Sequence, residues 1–245
     1  WSSDVCSSDL GRFLHQGQIC MSTNRVIVDA KVYDAFVTKL VEKIKTVRYG
    51  NPDEMGTIVG PIINESQLSG LKKIIAQAEQ DGAKLVLGGE IANNVLPPHV
   101  FIDVDPQSAL AKEESFGPVL PVIKARDEAH ALALANDTEY GLNASVFAGS
   151  SAEANAIADQ LRAGTVNINE GYAAAWASTA APMGGMGISG VGRRHGAEGL
   201  LKYTEPQTIA EQRFLGIDRA PFVPQHIYRA ITPTAVRALK YLPGR

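Results

Sequence analysis

Arg25-Val-Ile-Val-Asp29 is followed at once by Val32, Phe36, Val37, Leu40, Val41, Ile44 and Val47, which recur at steps of three and four residues. The first stretch is short and β-branched, as a buried strand requires. The second repeats with the helical period and predicts an amphipathic helix. A strand feeding directly into such a helix is the unit from which α/β domains are assembled.

The alternation continues outward. Asn64, with Gln67 three residues later, predicts a capping box opening a helix through Leu68, Leu71, Ile74, Ile75 and Ala78, with Gly82 ending it. Lys84-Leu-Val-Leu-Gly88 reads as a strand. Pro118 to Ile123 reads as another, and its prolines assign it to a sheet edge. Asp127 caps a helix reaching Asn136, Ser145-Val-Phe-Ala is a strand, Ser151 caps a helix ending at Gly164, and Thr165-Val-Asn-Ile-Asn169 is a strand again. The fold class is therefore α/β, with a largely parallel sheet flanked by helices. Residues 1–10 follow neither period and repeat Ser-Ser-Asp, so they are set aside, with Cys6, as a non-native or disordered tail.

Composition excludes several function classes. The net charge of −3 gives no electrostatic footprint for nucleic acid. No apolar run approaches the roughly 18–20 residues of a spanning helix, so no membrane span is expected. Two cysteines make no disulfide scaffold, and a reducing, cytoplasmic setting is the expectation. No His or Cys spacing reads as a metal site. Residues 213–245 hold five arginines and a lysine against one aspartate, a basic C-terminal extension on an otherwise acidic chain. A surface extension packed along the acidic body is the plain account of it. A partner or membrane-surface helix, with Val236, Leu239 and Leu242 against Arg237 and Lys240, is the sharper one.

The segment richest in chemistry is Gly17-Gln-Ile-Cys20-Met-Ser. A thiolate is a strong nucleophile, and a nearby glycine lets a carbonyl substrate approach the backbone. A single cysteine is by itself more often a small buried apolar residue. His15 lies five residues upstream, but catalytic partners meet in space, so this proximity does not make a dyad. Gly185-Met-Gly187-Ile-Ser-Gly190 has the letters of a dinucleotide fingerprint without the strand that must precede one, and reads instead as a close-packed glycine loop.

Gly17-Gln-Ile-Cys20 resembles the nucleophile motif of the aldehyde dehydrogenase superfamily. Glu113-Glu114-Ser115-Phe116-Gly117-Pro118-Val119 is similar to a second motif of that family. A third match runs from Asn169 through Pro182-Met183-Gly184-Gly185 and Ser189-Gly190-Val191-Gly192-Arg193 to Tyr203-Thr204-Glu205. The resemblance covers residues 11–212. It implies a catalytic-domain fold over residues 11–200, an oligomerisation strand at 201–212 and a cofactor domain largely absent from these residues. Cys20 is implied as the nucleophile, Glu114 and Phe116 as contacts of NAD or NADP at the nicotinamide ribose and ring, and Asn169, Ser178 and Met183 as the substrate pocket. The substrate is then a small-molecule aldehyde. A homo-dimer or tetramer is implied through residues 202–212.

The family's general base and the side chain that completes its oxyanion hole lie outside these motifs, so no turnover is expected from the chain alone. Residues 165–213 look most like succinate-semialdehyde dehydrogenases, with Ser178 at a carboxylate-contacting position. Phe13-Leu14-His15-Gln16 instead resembles enzymes acting on aromatic aldehydes such as vanillin or benzaldehyde, and Leu14 stands where other members place an arginine. A short noncatalytic paralogue that keeps only the fold and the pairing strand is the alternative from a different class.

Overall fold

The computed structural model describes residues 11–211, 221–239 and 241. The tail expected over 1–10, with Cys6, lies outside the described residues, as do 212–220 of the C-terminal region. The chain divides into two compact units, residues 1–204 and 205–245.

In the first unit the expected strand and helix are β1 (Val26–Asp29) and α1 (Tyr33–Ile44). Next come α2 (Glu65–Gln80), β2 (Lys84–Leu87), β3 (His99–Ile102), the single turn α3 (Ala109–Lys112) and β4 (Val119–Ala125). These strands form a four-stranded sheet in the order β1-β4-β3-β2, parallel except for the antiparallel β2–β3 pair. Side chains alternate across the sheet, as the two-residue strand period demands. Ile27, Phe101, Val119 and Ile123 pack on one face with Leu68, Leu71 and Ala78 of α2. Val28, Val100, Leu120 and Val122 pack on the other with Tyr33, Leu40 and Ile44 of α1. Helices thus cover both faces, which is why β4 is a nearly continuous apolar run.

The edge position expected for β4 is wrong: this strand is central. Pro121 is tolerated because the pairing is staggered. Val119–Pro121 is in register with β3, and Val122–Ala125 with β1, so the missing N–H falls where one ladder hands over to the other. The capping at Asn64 is half of the expected box. Its Oδ1 accepts the Gln67 N–H at 2.9 Å, while the Gln67 side chain turns elsewhere.

The second half of the unit runs α4 (Glu128–Asn136), β5 (Asn143–Val146), α5 (Ser151–Ala158), β6 (Thr165–Ile168), α6 (Ala173–Ala177) and α7 (Gly196–Leu201). β5 and β6 pair in parallel as a separate two-stranded sheet. Ser150 rather than Ser151 caps α5, accepting the Glu153 N–H, and the helix stops at Ala158, short of Gly164. All four residues of β1 and all four of β5 line one groove of about 1070 Å³.

Lys202–Thr204 form a turn after α7, and residues 205–211 have no regular secondary structure. Of the strand expected over 201–212, the described residues 201–211 form no ladder in the single chain. In the second unit α8 (Gln225–Leu239) is a single amphipathic helix with Pro233 inside it. No helix among the described residues is long and apolar enough to cross a membrane.

Candidate active site

Cys20 sits in a turn in which the Ser22 N–H donates to the Ile19 carbonyl at 2.9 Å. Its side chain is exposed and carries a free thiol. Its backbone N–H has no protein partner among the described residues, so it is available to an oxyanion. The turn is fixed from both ends. Phe13 is fully buried against Leu120 and Val122, and Met21 is buried on the other side of the cysteine. Between Phe13 and Cys20 the backbone runs through three left-handed residues, His15, Gln16 and Gly17, at φ 54°, 59° and 71°. Two of these are not glycine, and such conformations persist only where the surroundings over-determine them.

What over-determines them is the loop of residues 113–117. A Cβ on Gly17 would lie 2.6 Å from the Gly117 carbonyl oxygen and 2.8 Å from that of Arg12, so the nucleophile loop rests on the other loop's backbone. Gly117 in turn has no room for a Cβ above Leu71 of α2. The two motifs, about a hundred residues apart in sequence, thus meet glycine to glycine over a core leucine. Polar contacts complete the junction. Asn24 Nδ2 donates to the Glu113 carbonyl at 2.8 Å, and Asn24 Oδ1 accepts the Ser115 N–H at 3.4 Å. Gln67 Nε2 donates to the carbonyls of Ser115 and Phe116, each at 3.1 Å. Phe116 is itself left-handed at φ 48°.

Cys20, Glu114 and Phe116 line the same groove, as do Asn169 and Gly171. Asn169 is left-handed at φ 54°, and its Oδ1 accepts the Ala148 N–H at 3.4 Å. The loop after β6 is anchored by Asn167, which is buried. Its Nδ2 donates to Asn143 Oδ1 at 2.8 Å, and its Oδ1 accepts the Ala175 N–H at 3.1 Å. Ser178 and Met183 are not brought into this groove. Ser178 ends α6, and Met183 is buried in a two-way backbone bridge with Arg194 at 2.7 Å. His15 does not line the groove either.

The glycine loop of residues 184–192 makes no dinucleotide fingerprint. It is preceded by an isolated bridge rather than a strand, and Gly187–Ser189 is a three-residue 3₁₀ turn. Close packing is its use: Gly184 and Gly185 leave no space for a side chain against Gly192 and Ser189. Among the described residues no three His, Cys, Asp or Glu side chains are grouped to hold a metal ion.

Sequence alone offers Arg12 as a possible cation for the substrate and leaves open whether it points inward. Its side chain is buried beneath the 113–117 loop, and its Nη2 donates to Ser115 Oγ. What no local signal gives is its partner, which lies 103 residues away in sequence.

The aldehyde dehydrogenase family profile matches residues 7–209. The chain belongs to the aldehyde dehydrogenase family. It is 44% identical over 237 residues to a Mycobacterium ulcerans protein named succinate-semialdehyde dehydrogenase (NADP(+)) 2, covering 95% of this chain and 46% of that one. It is 45% identical over 204 residues to the vanillin dehydrogenase of Corynebacterium glutamicum, covering 83% and 42%. The fold matches the betaine aldehyde dehydrogenase of Staphylococcus aureus, solved in complex with NAD⁺, with a TM-score of 0.78 at 30% identity, covering 87% and 45%. The chain thus spans a little under half the length of these relatives.

Proposed function

We propose that these residues form the catalytic half of an NAD(P)-dependent aldehyde dehydrogenase, with Cys20 as nucleophile and succinate semialdehyde as substrate. The observation that carries the reading is that an exposed Cys20 with an unengaged N–H shares one groove with Glu114 and Phe116. The Cys20 sulfur attacks the aldehyde carbon, and the oxygen that becomes anionic lies within reach of the free Cys20 N–H. The C–H bond of the resulting thiohemiacetal breaks, and hydrolysis of the thioester then releases the acid and restores the thiol.

The residues present fit a nicotinamide cofactor. Glu114 is an exposed carboxylate able to accept two ribose hydroxyls, and Phe116 offers a partly exposed ring beside it. When bound, the cofactor supplies the hydride acceptor. Glu114 and Phe116 fix where that acceptor sits relative to Cys20, and the strained loops keep the three from drifting apart.

Succinate semialdehyde is supported by the names of the relatives that match over 95% of the chain. Ser178 lends no support, since it lies off the groove, and Arg12 faces Ser115. The match to vanillin dehydrogenase and the residues before Cys20 favour an aromatic aldehyde as the second reading. The test is aldehyde-dependent reduction of NAD⁺ and NADP⁺ by the whole enzyme carrying these residues, with succinate semialdehyde against vanillin. We expect kcat/KM to favour succinate semialdehyde, and a preference for vanillin selects the second reading. Cys20→Ser should lower kcat by roughly 10⁴-fold or more, as losing a nucleophile does. A variant that keeps turnover would remove Cys20 from its role. Residues 1–245 alone should give no turnover, because the proposal places the base and half of the oxyanion hole elsewhere, and one such donor is worth about 10²–10³.

Pairing through residues 202–212 in a homo-oligomer is part of the same proposal. Leu200, Leu201 and Tyr203 are mostly exposed in the first unit, as is Ile209 in the second. Light scattering of wild type against Leu201→Asp checks it, with a loss of mass expected for the variant.

A further inference from the structure

Three side chains grip residues 113–116: Arg12 and Asn24, which flank the nucleophile on either side, and Gln67 from α2. Arg12 stands apart from the other two. Asn24 and Gln67 act as amides at partly exposed positions, whereas the Arg12 side chain is only 1% exposed and its Nε has no partner. Its carbonyl end is tied as well. The Ser22 hydroxyl donates to the Arg12 carbonyl at 3.2 Å, and Gly17 packs on that same oxygen. One residue therefore touches the Cys20 turn through its backbone and the Glu114 loop through its guanidinium.

We propose that Arg12 is a positioning residue, a buried cation that locks the Cys20 turn and the Glu114–Phe116 loop into one body. Stability is a poor account of it. Burial pushes the Arg12 guanidinium down to about 9, and the nearby Glu114 carboxylate pulls it back up, so the fold hosts a charge it would shed more easily in the apolar interior. Replacing buried ionic groups with hydrocarbon is often neutral or stabilising, so the fold itself gains little by keeping this one. What the guanidinium provides is direction: one planar donor group aimed at Ser115, with its charge beside Glu114. The clamp gains catalytic meaning from the reading above in which Glu114 meets the cofactor ribose.

Hydrogen–deuterium exchange on the chain tests the clamp, with wild type, Arg12→Met, Arg12→Lys, Ser115→Ala and the double variant Arg12→Met/Ser115→Ala compared without cofactor. Arg12→Met should speed exchange about 10- to 100-fold in peptides covering 11–24 and 113–118, as loss of a charge-assisted hydrogen bond would. Exchange in 119–125 and the melting temperature should stay where they are. The double variant should exchange no faster than Arg12→Met, because both changes cut the same link. Arg12→Lys should restore part of the protection. Unchanged exchange in both loops overturns the proposal, as does acceleration spread through β3 and β4 with a falling melting temperature, or effects of Arg12→Met and Ser115→Ala that simply multiply. Should Arg12→Met fail to fold, Ser115→Ala and Arg12→Lys still decide the matter on the same two peptides. Dinucleotide affinity of the whole enzyme, wild type against Glu114→Gln, tests the cofactor reading separately. If that affinity holds while the two loops loosen together in Arg12→Met, the clamp stands and the role given to Glu114 falls.

Discussion

β4 and the loop that precedes it are continuous in sequence and follow opposite rules. In β4 five of seven side chains are Val, Leu, Ile or Ala packed in the core, and no residue has a positive φ. In residues 113–117 the backbone turns left-handed at Phe116, a buried serine faces a buried arginine, and a glycine is pressed on a leucine. The same contrast holds between β1 and the Cys20 turn just before it. Left-handed backbone and a buried charge meet where chemistry is proposed, and the apolar sheet supplies the stability that holds them there. The two regions should therefore respond differently to substitution. The sheet should lose stability without changing the site, and the loops should change the site at a smaller cost in stability.

The largest effect belongs to the sheet. Phe101 is fully buried between β2 and β4, and Phe101→Ala should cost about 3–5 kcal/mol, read as a lowered urea midpoint. Under conditions where the variant is still folded, alkylation of Cys20 by iodoacetamide should proceed at the wild-type rate. A changed rate would mean that the two regions are not separable. Gly17→Ala is the converse. The left-handed backbone alone costs an alanine about 1–2 kcal/mol, and the Gly117 and Arg12 carbonyls must also move. It should destabilise less than Phe101→Ala yet alter Cys20 alkylation clearly. An unaltered rate would show that the glycine contact does not position the thiol. Smaller again is Asn64→Ala, which removes the cap of α2 and should cost about 1 kcal/mol. Since Gln67 lies in the first turn of that helix, some loosening of 115–116 should accompany it in hydrogen exchange.

The sheet was largely legible in the sequence because period and capping are local signals. Val26–Asp29, the stripe on α1, the Asn64 cap and the Asp127 cap all fell where side-chain spacing placed them. Pro121 misled because edge preference is a statement about one missing N–H, and only the three-dimensional stagger of two ladders shows where that N–H would have pointed. β3 was passed over because His99 and two nearby prolines mask a four-residue strand. At the site, Cys20, Glu114 and Phe116 could be found through motifs, but the junction between them could not. Arg12, Asn24 and Gln67 act across 48 to 103 residues of sequence, and no local pattern encodes a contact at that range.

His99 gives the gentlest probe, and one that belongs to the sheet alone. Its ring is buried in β3, with Nδ1 at 2.8 Å from the Pro97 carbonyl. Burial lowers its pKa below the usual 6.5, opposed in part by that carbonyl and by the charge of Glu79. In the unfolded chain the ring takes up a proton near pH 6.5, while in the folded chain it does so only at lower pH. Between those two values the unfolded state binds more protons, so stability is complete above pH 6.5 and declines as the pH falls below it. Asp137 shifts in a different window, since Lys112 and then Gln107 hold its carboxylate below the usual 3.8 and its contribution fades only in stronger acid. Urea midpoints taken from pH 7.5 to 5.5 therefore isolate His99 from that pair. Wild type should lose stability across this range more steeply than His99→Gln, which has no proton to gain. Equal slopes would mean that the ring is solvated well enough to titrate in place, and that the sheet at β3 is less closed than its packing implies.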